Sequence, residues 1–128
     1  MNQPKFGTIE WIDLSVPNAG EVRDFYSQVA GWTSSPVNVA DYEDYCVHPA
    51  GSEQPVAGIC HAKGENADMP TQWLIYINVE DLDNSIRRCT ALGGSIVVPM
   101  RDMGSHGRMC VIKDPAGAVA ALIEPRSE

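Results

Sequence analysis

The sequence predicts an α+β fold built from two copies of a β-α-β-β-β unit, and three features of the chain support this prediction. The tetrapeptide at 48–51 (HPAG) recurs at 114–117 (DPAG), and a small apolar run follows each copy. Upstream, an alternating apolar segment ending at Val16 matches one ending at Val79, and a glycine follows each valine fifteen residues later. Matches that keep their order and spacing indicate an internal repeat, and repeated units normally pair to bury their apolar faces.

The first copy is predicted to begin with a strand and a helix. Residues 8–16 alternate between two faces, as a half-buried strand does. One face carries Ile12, Leu14 and Val16, and the other carries Trp11, Asp13 and Ser15. Asn18 followed by Glu21 is typical of a capping box. The helix is therefore expected to start there, to run to about Ala30 and to end at Gly31.

The rest of the first copy is predicted to be three short strands between residues 35 and 64. Turn-forming residues near Ala40-Asp41 and at 49–52 separate these strands. Residues 63–71 are rich in Gly, Asn, Asp and Pro, so we interpret them as the linker between the copies.

The second copy is predicted to repeat this plan, with a strand at 73–79. Its apolar face carries Ile75, Ile77 and Val79, and its opposite face carries Leu74, Tyr76 and Asn78. Asp81 or Asp83 is expected to cap a helix that runs to Leu92. The remaining strands are expected at about 95–100, 108–113 and 118–123. The glycine-rich loop at 101–107 is a candidate rim or lid.

Composition limits the classes of function. The net charge of −8 disfavours nucleic acid as a partner, because phosphate binding requires clustered basic residues. The sequence has no apolar run of membrane-spanning length and no signal-peptide pattern at its N-terminus, so we expect a cytoplasmic protein without a membrane partner. The four cysteines form no CxxC pair, which favours free thiols over a zinc site or a redox dithiol.

This organisation resembles the vicinal oxygen chelate superfamily, which includes glyoxalase I, the bleomycin-resistance proteins and the extradiol dioxygenases. The resemblance rests on the tandem units, the glycine that ends each helix and the DPAG turn before the last strand, and it covers about residues 6–126. It implies one domain over residues 1–128, with modules at about 6–64 and 72–126. It also implies an open, curled mixed β-sheet, a partial barrel, around a ligand cavity with the helices packed outside.

The resemblance also makes the metal positions of the superfamily testable. Its metal-dependent members place one ligand, usually His or Glu, on the first and the last strand of each module. The matching positions in this chain hold Trp11, Gly58, Leu74 and Ala121. None of these side chains offers the oxygen, nitrogen or sulfur ligand that a divalent metal requires, so neither a metal nor another cofactor is expected.

Other reactive side chains give weaker signals. Asp13 is a weak candidate for a general acid or base, because burial beside Trp11 would raise its pKa, although a structural hydrogen bond would also account for it. Cys60 is expected to face the cavity, whereas His61 points to the opposite face, so a nucleophilic pair is not expected. His48 is interpreted as a turn residue, and His106 lies in the candidate lid.

The predicted function is metal-independent binding of a small, partly aromatic or amphipathic organic ligand in the cavity between the modules. The alternative is a glyoxalase-like lyase or isomerase, or another metal-free enzyme that uses Asp13. A structural or regulatory module without a ligand is a third possibility, in which Trp11 fills the space. A homodimer is expected. The predicted ligand-binding residues are Trp11, Asp13, Gly58, Cys60, Leu74, Tyr76, Arg101, His106, Arg108 and Ala121.

Overall fold

A computed structural model describes residues 5–126 and shows the order β-α-β-β-β twice. The first set comprises β1 (Ile9–Val16), α1 (Ala19–Ala30), β2 (Thr33–Val39), β3 (Tyr42–His48) and β4 (Ala57–His61). The second set comprises β5 (Trp73–Asn78), α2 (Leu82–Ala91), β6 (Ser95–Asp102), β7 (Arg108–Lys113) and β8 (Val119–Glu124). Short 3-10 turns occupy residues 64–66 and 104–106. The predicted tandem organisation is therefore confirmed.

The described chain divides into two compact units, which we call the first unit (residues 11–73) and the second unit (residues 5–10 and 74–126). The single domain predicted over residues 1–128 includes residues 1–4 and 127–128, which lie outside the described residues.

The strands of the first unit are ordered β2-β3-β4-β1. The β2-β3 and β3-β4 pairs are antiparallel, whereas β1 runs parallel to β4. Helix α1 covers one face, where Leu14, Val16 and Ile59 belong to a buried apolar cluster. Ile12, Val22 and Tyr26 pack against that cluster, so the predicted apolar face of β1 does lie under the helix.

The strands of the second unit are ordered β5-β8-β7-β6, with β5 parallel to β8 and the other two pairs antiparallel. Helix α2 contributes Leu82 and Ile86 to an apolar cluster with Cys110 and Leu122, against which Ile77 also packs. Both units thus combine one helix with mixed, open β-structure, and the predicted α+β class is confirmed.

The two helices begin differently from each other. At α2, Oδ1 of Asp81 accepts a hydrogen bond from the backbone N–H of Asn84 at 3.1 Å, so Asp81, one of the two predicted candidates, is the cap. At α1 the predicted capping box is wrong, because Asn18 makes no side-chain cap bond. Its Nδ2 instead donates to Oε1 of Glu21 at 3.2 Å, so these two exposed side chains satisfy each other rather than the backbone.

The turns that end the helices follow the sequence more closely. Gly31 ends α1 with a φ of 74°, in the left-handed region that glycine adopts without strain.

Neither helix within residues 5–126 is long and apolar enough to cross a bilayer.

Candidate functional site

The first unit holds an unusual polar group on the sheet face opposite α1. Nε1 of Trp11 donates a hydrogen bond to Oδ1 of Asp13 at 2.6 Å, and both residues lie on β1. The parallel register sets Asp13 level with Gly58 on β4. A Cβ atom on residue 58 would overlap Oδ1 of Asp13 and would come within 3.5 Å of Nε1 of Trp11. The Asp13 carboxyl therefore occupies the room that a side chain at position 58 would need.

The surroundings of Asp13 favour its protonated form. Burial raises the pKa of this carboxyl from its usual 3.8 to about 6. The hydrogen bond from Trp11 opposes this shift, and the nearby Asp44 carboxylate adds to it. A carboxyl with such a pKa exchanges its proton near neutral pH, which is the property required of a general acid or base.

Two thiols share this face with Asp13. Cys46 on β3 is level with Gly58 on β4, and Cys60 on β4 is level with Ser15 on β1. Burial is the main cause that raises the pKa of both thiols, and the Asp13 carboxylate raises both further. Because the thiolate is the reactive species, neither cysteine is set up as a nucleophile.

Asp44 connects this face to His61. The residue is 7% exposed, and its Oδ1 accepts a hydrogen bond from the backbone N–H of His61 at 2.8 Å. Nδ1 of His61 lies 3.3 Å from the same oxygen, so the ring is oriented by the carboxylate. His48 is also held locally, since its Nε2 is 2.8 Å from the hydroxyl of Ser35.

In the second unit, the face of the sheet opposite α2 is apolar and buried. Tyr76 on β5 is level with Ala121 on β8, and Ala121 is level with Val111 on β7. Tyr76 is 9% exposed, and Leu74, Val111 and Ala121 are more deeply buried. Asn78, two positions beyond Tyr76, is a buried polar residue of this face.

Arg108 lies on the other side of this sheet, with α2. Its guanidinium is 2.8 Å from Oε1 of Glu124 and 3.4 Å from Oδ2 of Asp83, and it contacts the sulfur of Met100 at 3.2 Å. Oε1 of Glu124 also accepts from the backbone N–H of Leu82 at the start of α2. The hydrogen bond from Arg108 is the main cause that lowers the pKa of Glu124. Arg108 thus helps to hold the N-terminus of α2.

The remaining candidates lie near the loop before β7. His106 is exposed within the 3-10 turn, and Arg101 is half-buried on β6, level with Met109. A shallow depression of about 160 Å³ lies beside this turn. It is lined by Gly107, Arg108, Glu124, Pro125 and Arg126.

The structure therefore groups the predicted site residues by unit. Trp11, Asp13, Gly58 and Cys60 share one face of the first unit, and Leu74, Tyr76 and Ala121 share the buried face of the second. Arg108 belongs to neither group. Sequence reasoning missed Asp44 and Cys46, although alternation along β3 places both on the face of the first unit. It placed Asn78 on the face of β5 with Tyr76 but did not name it as a ligand-binding residue.

The residues present do not fit a divalent metal of the kind that the fold implies. The four positions that correspond to metal ligands hold side chains without metal-binding atoms. Within residues 5–126, no group of three or more His, Cys, Asp or Glu residues is arranged to hold a metal ion. No chemical step is therefore assigned to a metal.

Two β-α-β-β-β units in one chain, each with its helix on one sheet face and its first and last strands parallel, define a class of proteins with paired modules. The chain belongs to the Glyoxalase/Bleomycin resistance protein/Dioxygenase superfamily, whose family model matches residues 8–122.

Curated relatives cover a range of named roles. The chain is 29% identical over 126 residues to CFP32 from Mycobacterium tuberculosis, which is named as a candidate glyoxylase. It is 28% identical over 127 residues to the anthracycline biosynthesis protein DnrV from Streptomyces peucetius. These matches cover 93% and 91% of this chain but 44% and 46% of the relatives. The chain thus spans less than half the length of the curated relatives it matches.

Solved structures are similar in fold. Methylmalonyl-CoA epimerase from Mycobacterium tuberculosis matches with a TM-score of 0.51 and 19% identity, over 92% of this chain and 87% of that one. A methylmalonyl-CoA epimerase in complex with methylmalonyl-CoA and NH4+ matches with a TM-score of 0.55 and 12% identity, over 96% and 97% of the two chains. Likeness at this level of identity shows the fold alone.

Proposed function

We propose that the protein binds a small, partly aromatic organic cation without a metal ion, on the face of the first unit that carries Trp11 and Asp13. The observation that carries this proposal is the hydrogen-bonded Trp11–Asp13 pair, whose carboxyl occupies the side-chain room of Gly58. A position that resembles a metal-ligand position is thus filled by a carboxyl group from the neighbouring strand.

The charge of this face favours a cationic ligand. Burial and the Asp44 carboxylate both disfavour the ionised form of Asp13. A cation bound beside Asp13 would supply the opposite charge that stabilises the carboxylate. The indole ring of Trp11 would add a surface on which a cation or a flat ring can stack.

The direct test uses benzylamine, which is cationic at neutral pH, and benzyl alcohol, which is its neutral counterpart. The reporter is the indole N–H resonance of Trp11 in a ¹H–¹⁵N spectrum. We expect benzylammonium to shift this resonance saturably and more strongly than benzyl alcohol. We expect tighter binding above about pH 6 than below it, because the carboxylate is then ionised.

The matched variants are Asp13→Asn and Asp24→Asn, which each remove one carboxylate. Asp24 is exposed on α1, so its replacement controls for net charge. Loss of benzylammonium binding in the first variant alone supports the proposal. Equal binding of the two probes would contradict it, as would a divalent metal present at stoichiometric amounts in the purified protein.

A metal-free enzyme is the second candidate, and the Asp13 pKa of about 6 favours it. Such a carboxyl can take a proton from a substrate carbon and return it, as a lyase or isomerase of the glyoxalase type requires. Turnover of the hemithioacetal of methylglyoxal and glutathione without added metal, abolished by Asp13→Asn, would establish this function. Absence of turnover in the unmodified protein would reject that reaction.

We also propose that the protein works in the cytoplasm as a homodimer. The four cysteines are free thiols, which suits a reducing compartment. Sedimentation equilibrium tests the dimer, and a mass of one chain at all concentrations would reject it.

A further inference from the structure

We infer that Asn78 is a ligand-binding residue of the second unit, whose carbonyl oxygen accepts a hydrogen bond from a neutral O–H or N–H group on a small apolar molecule. The inference goes beyond the proposed function, since it involves neither Asp13 nor any residue of the first unit. It rests on the hydrogen bonds that hold Asn78 in place and on the lack of a partner for its side-chain oxygen, Oδ1.

Three hydrogen bonds fix the position of Asn78. Its Nδ2 donates to Oε1 of Glu10 at 2.8 Å. Its backbone N–H donates to the carbonyl of Thr8 at 2.8 Å, and its carbonyl accepts from the N–H of Gly7 at 2.7 Å. The residue is 1% exposed. The side-chain oxygen Oδ1 is nevertheless buried without a hydrogen-bond partner among residues 5–126.

The orientation of the amide follows from Glu10. A carboxylate oxygen accepts hydrogen bonds and cannot donate them, so it pairs with the NH2 group of Asn78. Rotating the amide by half a turn would place Oδ1 against the Glu10 carboxylate and would lose that bond. Oδ1 is therefore held on the side of the amide away from Glu10.

The surroundings of Asn78 on the same face are apolar. Tyr76 precedes it by two positions, and Ile123 is level with it on β8. Met109 is level with Ile123 on β7 and is fully buried. An acceptor left without a donor in such surroundings is costly, whereas an apolar side chain of the same size would have no such cost. We therefore assign the donor that would satisfy this oxygen to a bound molecule.

These features define the class of molecule. The group that meets Oδ1 has to donate a hydrogen bond, because a carbonyl oxygen only accepts. The group is taken to be neutral, because the acceptor is an uncharged amide oxygen and the residues level with it on β8 and β7, Ile123 and Met109, are apolar. The body that carries it is apolar, to match Tyr76, Ile123 and Met109. Phenols, anilines and aliphatic alcohols meet these conditions.

The test compares phenol with anisole, which differ by a methyl group on the oxygen that removes the donor. The reporters are the side-chain NH2 resonances of Asn78 and the backbone amides of Met109 and Ile123 in ¹H–¹⁵N spectra. We expect saturable shifts with phenol and binding of anisole that is weaker by about tenfold. Equal binding of the two probes, or no saturable shift with phenol, would overturn the inference.

Variants locate the effect at Oδ1. Asn78→Leu keeps the size but removes the acceptor, and we expect phenol and anisole to bind it equally. Asn38→Leu, at an exposed asparagine of β2, is the matched control and is expected to keep the difference. If Oδ1 serves only an internal water, Asn78→Leu will lower the melting temperature and leave phenol binding unchanged, which would also overturn the inference. Should this variant fail to fold, Asn78→Ser takes its place, and the phenol–anisole comparison on the unmodified protein remains decisive.

The two proposals can fail separately. Benzylammonium reports on Trp11 and Asp13, whereas phenol reports on Asn78. Loss of the difference between phenol and anisole in Asn78→Leu, with benzylammonium binding unchanged, would establish two independent sites.

Discussion

The Asp13 side chain makes the stability of the first unit depend on pH. Its carboxyl is partly buried beside Trp11, and its environment favours the neutral form. Ionisation at neutral pH therefore costs free energy in the folded state that it does not cost in the unfolded chain. A side chain held at such a cost is more easily explained by binding or proton transfer than by packing.

Replacing Asp13 with asparagine is expected to stabilise the protein in a pH-dependent way. The folded pKa is raised from 3.8 to about 6, so the contribution of the carboxyl to stability is complete below the unfolded pKa and is lost as the pH rises through 6. Asparagine keeps an acceptor for Trp11 and carries no charge. We expect the free energy of unfolding to rise by roughly 1–3 kcal/mol at about pH 8 and to change little at about pH 4.

Urea denaturation of Asp13→Asn at both pH values provides the measurement, with Asp24→Asn as the control for charge. A change of equal size at the two pH values would show that ionisation of Asp13 is not its cause.

Replacing Gly58 with alanine is expected to break the Trp11–Asp13 hydrogen bond. The added Cβ would overlap Oδ1 of Asp13, so the carboxyl has to move. Overpacking of this kind typically costs roughly 1–3 kcal/mol. The indole N–H resonance of Trp11 should shift in the variant, and the unfolding midpoint should fall.

Gly20→Ala is the matched control for Gly58→Ala. Gly20 lies in α1, where the nearest atom to an added Cβ is the hydroxyl of Tyr45 at an ordinary 3.7 Å. Because alanine is the better helix former, we expect this change to be neutral or to stabilise by up to about 1 kcal/mol. Equal effects of the two substitutions would show that the close approach to Asp13 is not what matters.

Among the elements, the two helices show what local sequence does and does not encode. An aspartate cap at the start of α2 was predictable as Asp81 or Asp83, because an acidic residue before an apolar periodic run is a typical N-cap, and the structure selects Asp81. Glu124 also holds the first turn of α2, through the N–H of Leu82, but it lies 42 residues further along the chain. No local sequence pattern predicts this contact, because it depends on how β8 packs beside the helix.

Removal of the two predicted caps should therefore have different consequences. Asp81→Ala removes an acceptor from the N–H of Asn84, and we expect a loss of about 1 kcal/mol in the free energy of unfolding. Asn18→Ala removes a side chain that bonds Glu21 and not the backbone, so we expect a change of only about a few tenths of a kcal/mol. Guanidinium denaturation of both variants distinguishes these effects. A larger loss for Asn18→Ala would contradict this account of α1.

For the molecule as a whole, the internal repeat was the main basis for predicting the fold. It identified both modules, and simple alternation assigned Ile12 and Leu14 to the helix side of β1. The register between strands was not predictable, because it is set by packing between segments that are distant in sequence. The proximity of Asp13 to Gly58 and the pairing of Arg108 with Glu124 both depend on that register.

The cysteines should react slowly in the folded protein. Burial raises the pKa of Cys46, Cys60 and Cys110, the last to about 11. We expect an alkylating reagent at neutral pH to modify these three at least roughly tenfold more slowly than in denaturant, because the thiolate is the reactive form. Mass spectrometry of timed digests gives the rate at each site. Rapid modification of Cys60 in the folded protein would contradict its burial.

The close approach of Asp13 to Gly58 also constrains how this lineage can change. A side chain introduced at position 58 displaces the carboxyl of Asp13, since both would occupy the same volume, and a smaller residue at 13 removes this cost. The two substitutions are therefore ordered: a change at 58 alone meets a steric barrier, whereas a change at 13 opens the way. Mutational paths that introduce a coordinating residue at position 58 of β4 are thus favoured when a smaller residue at position 13 of β1 comes first.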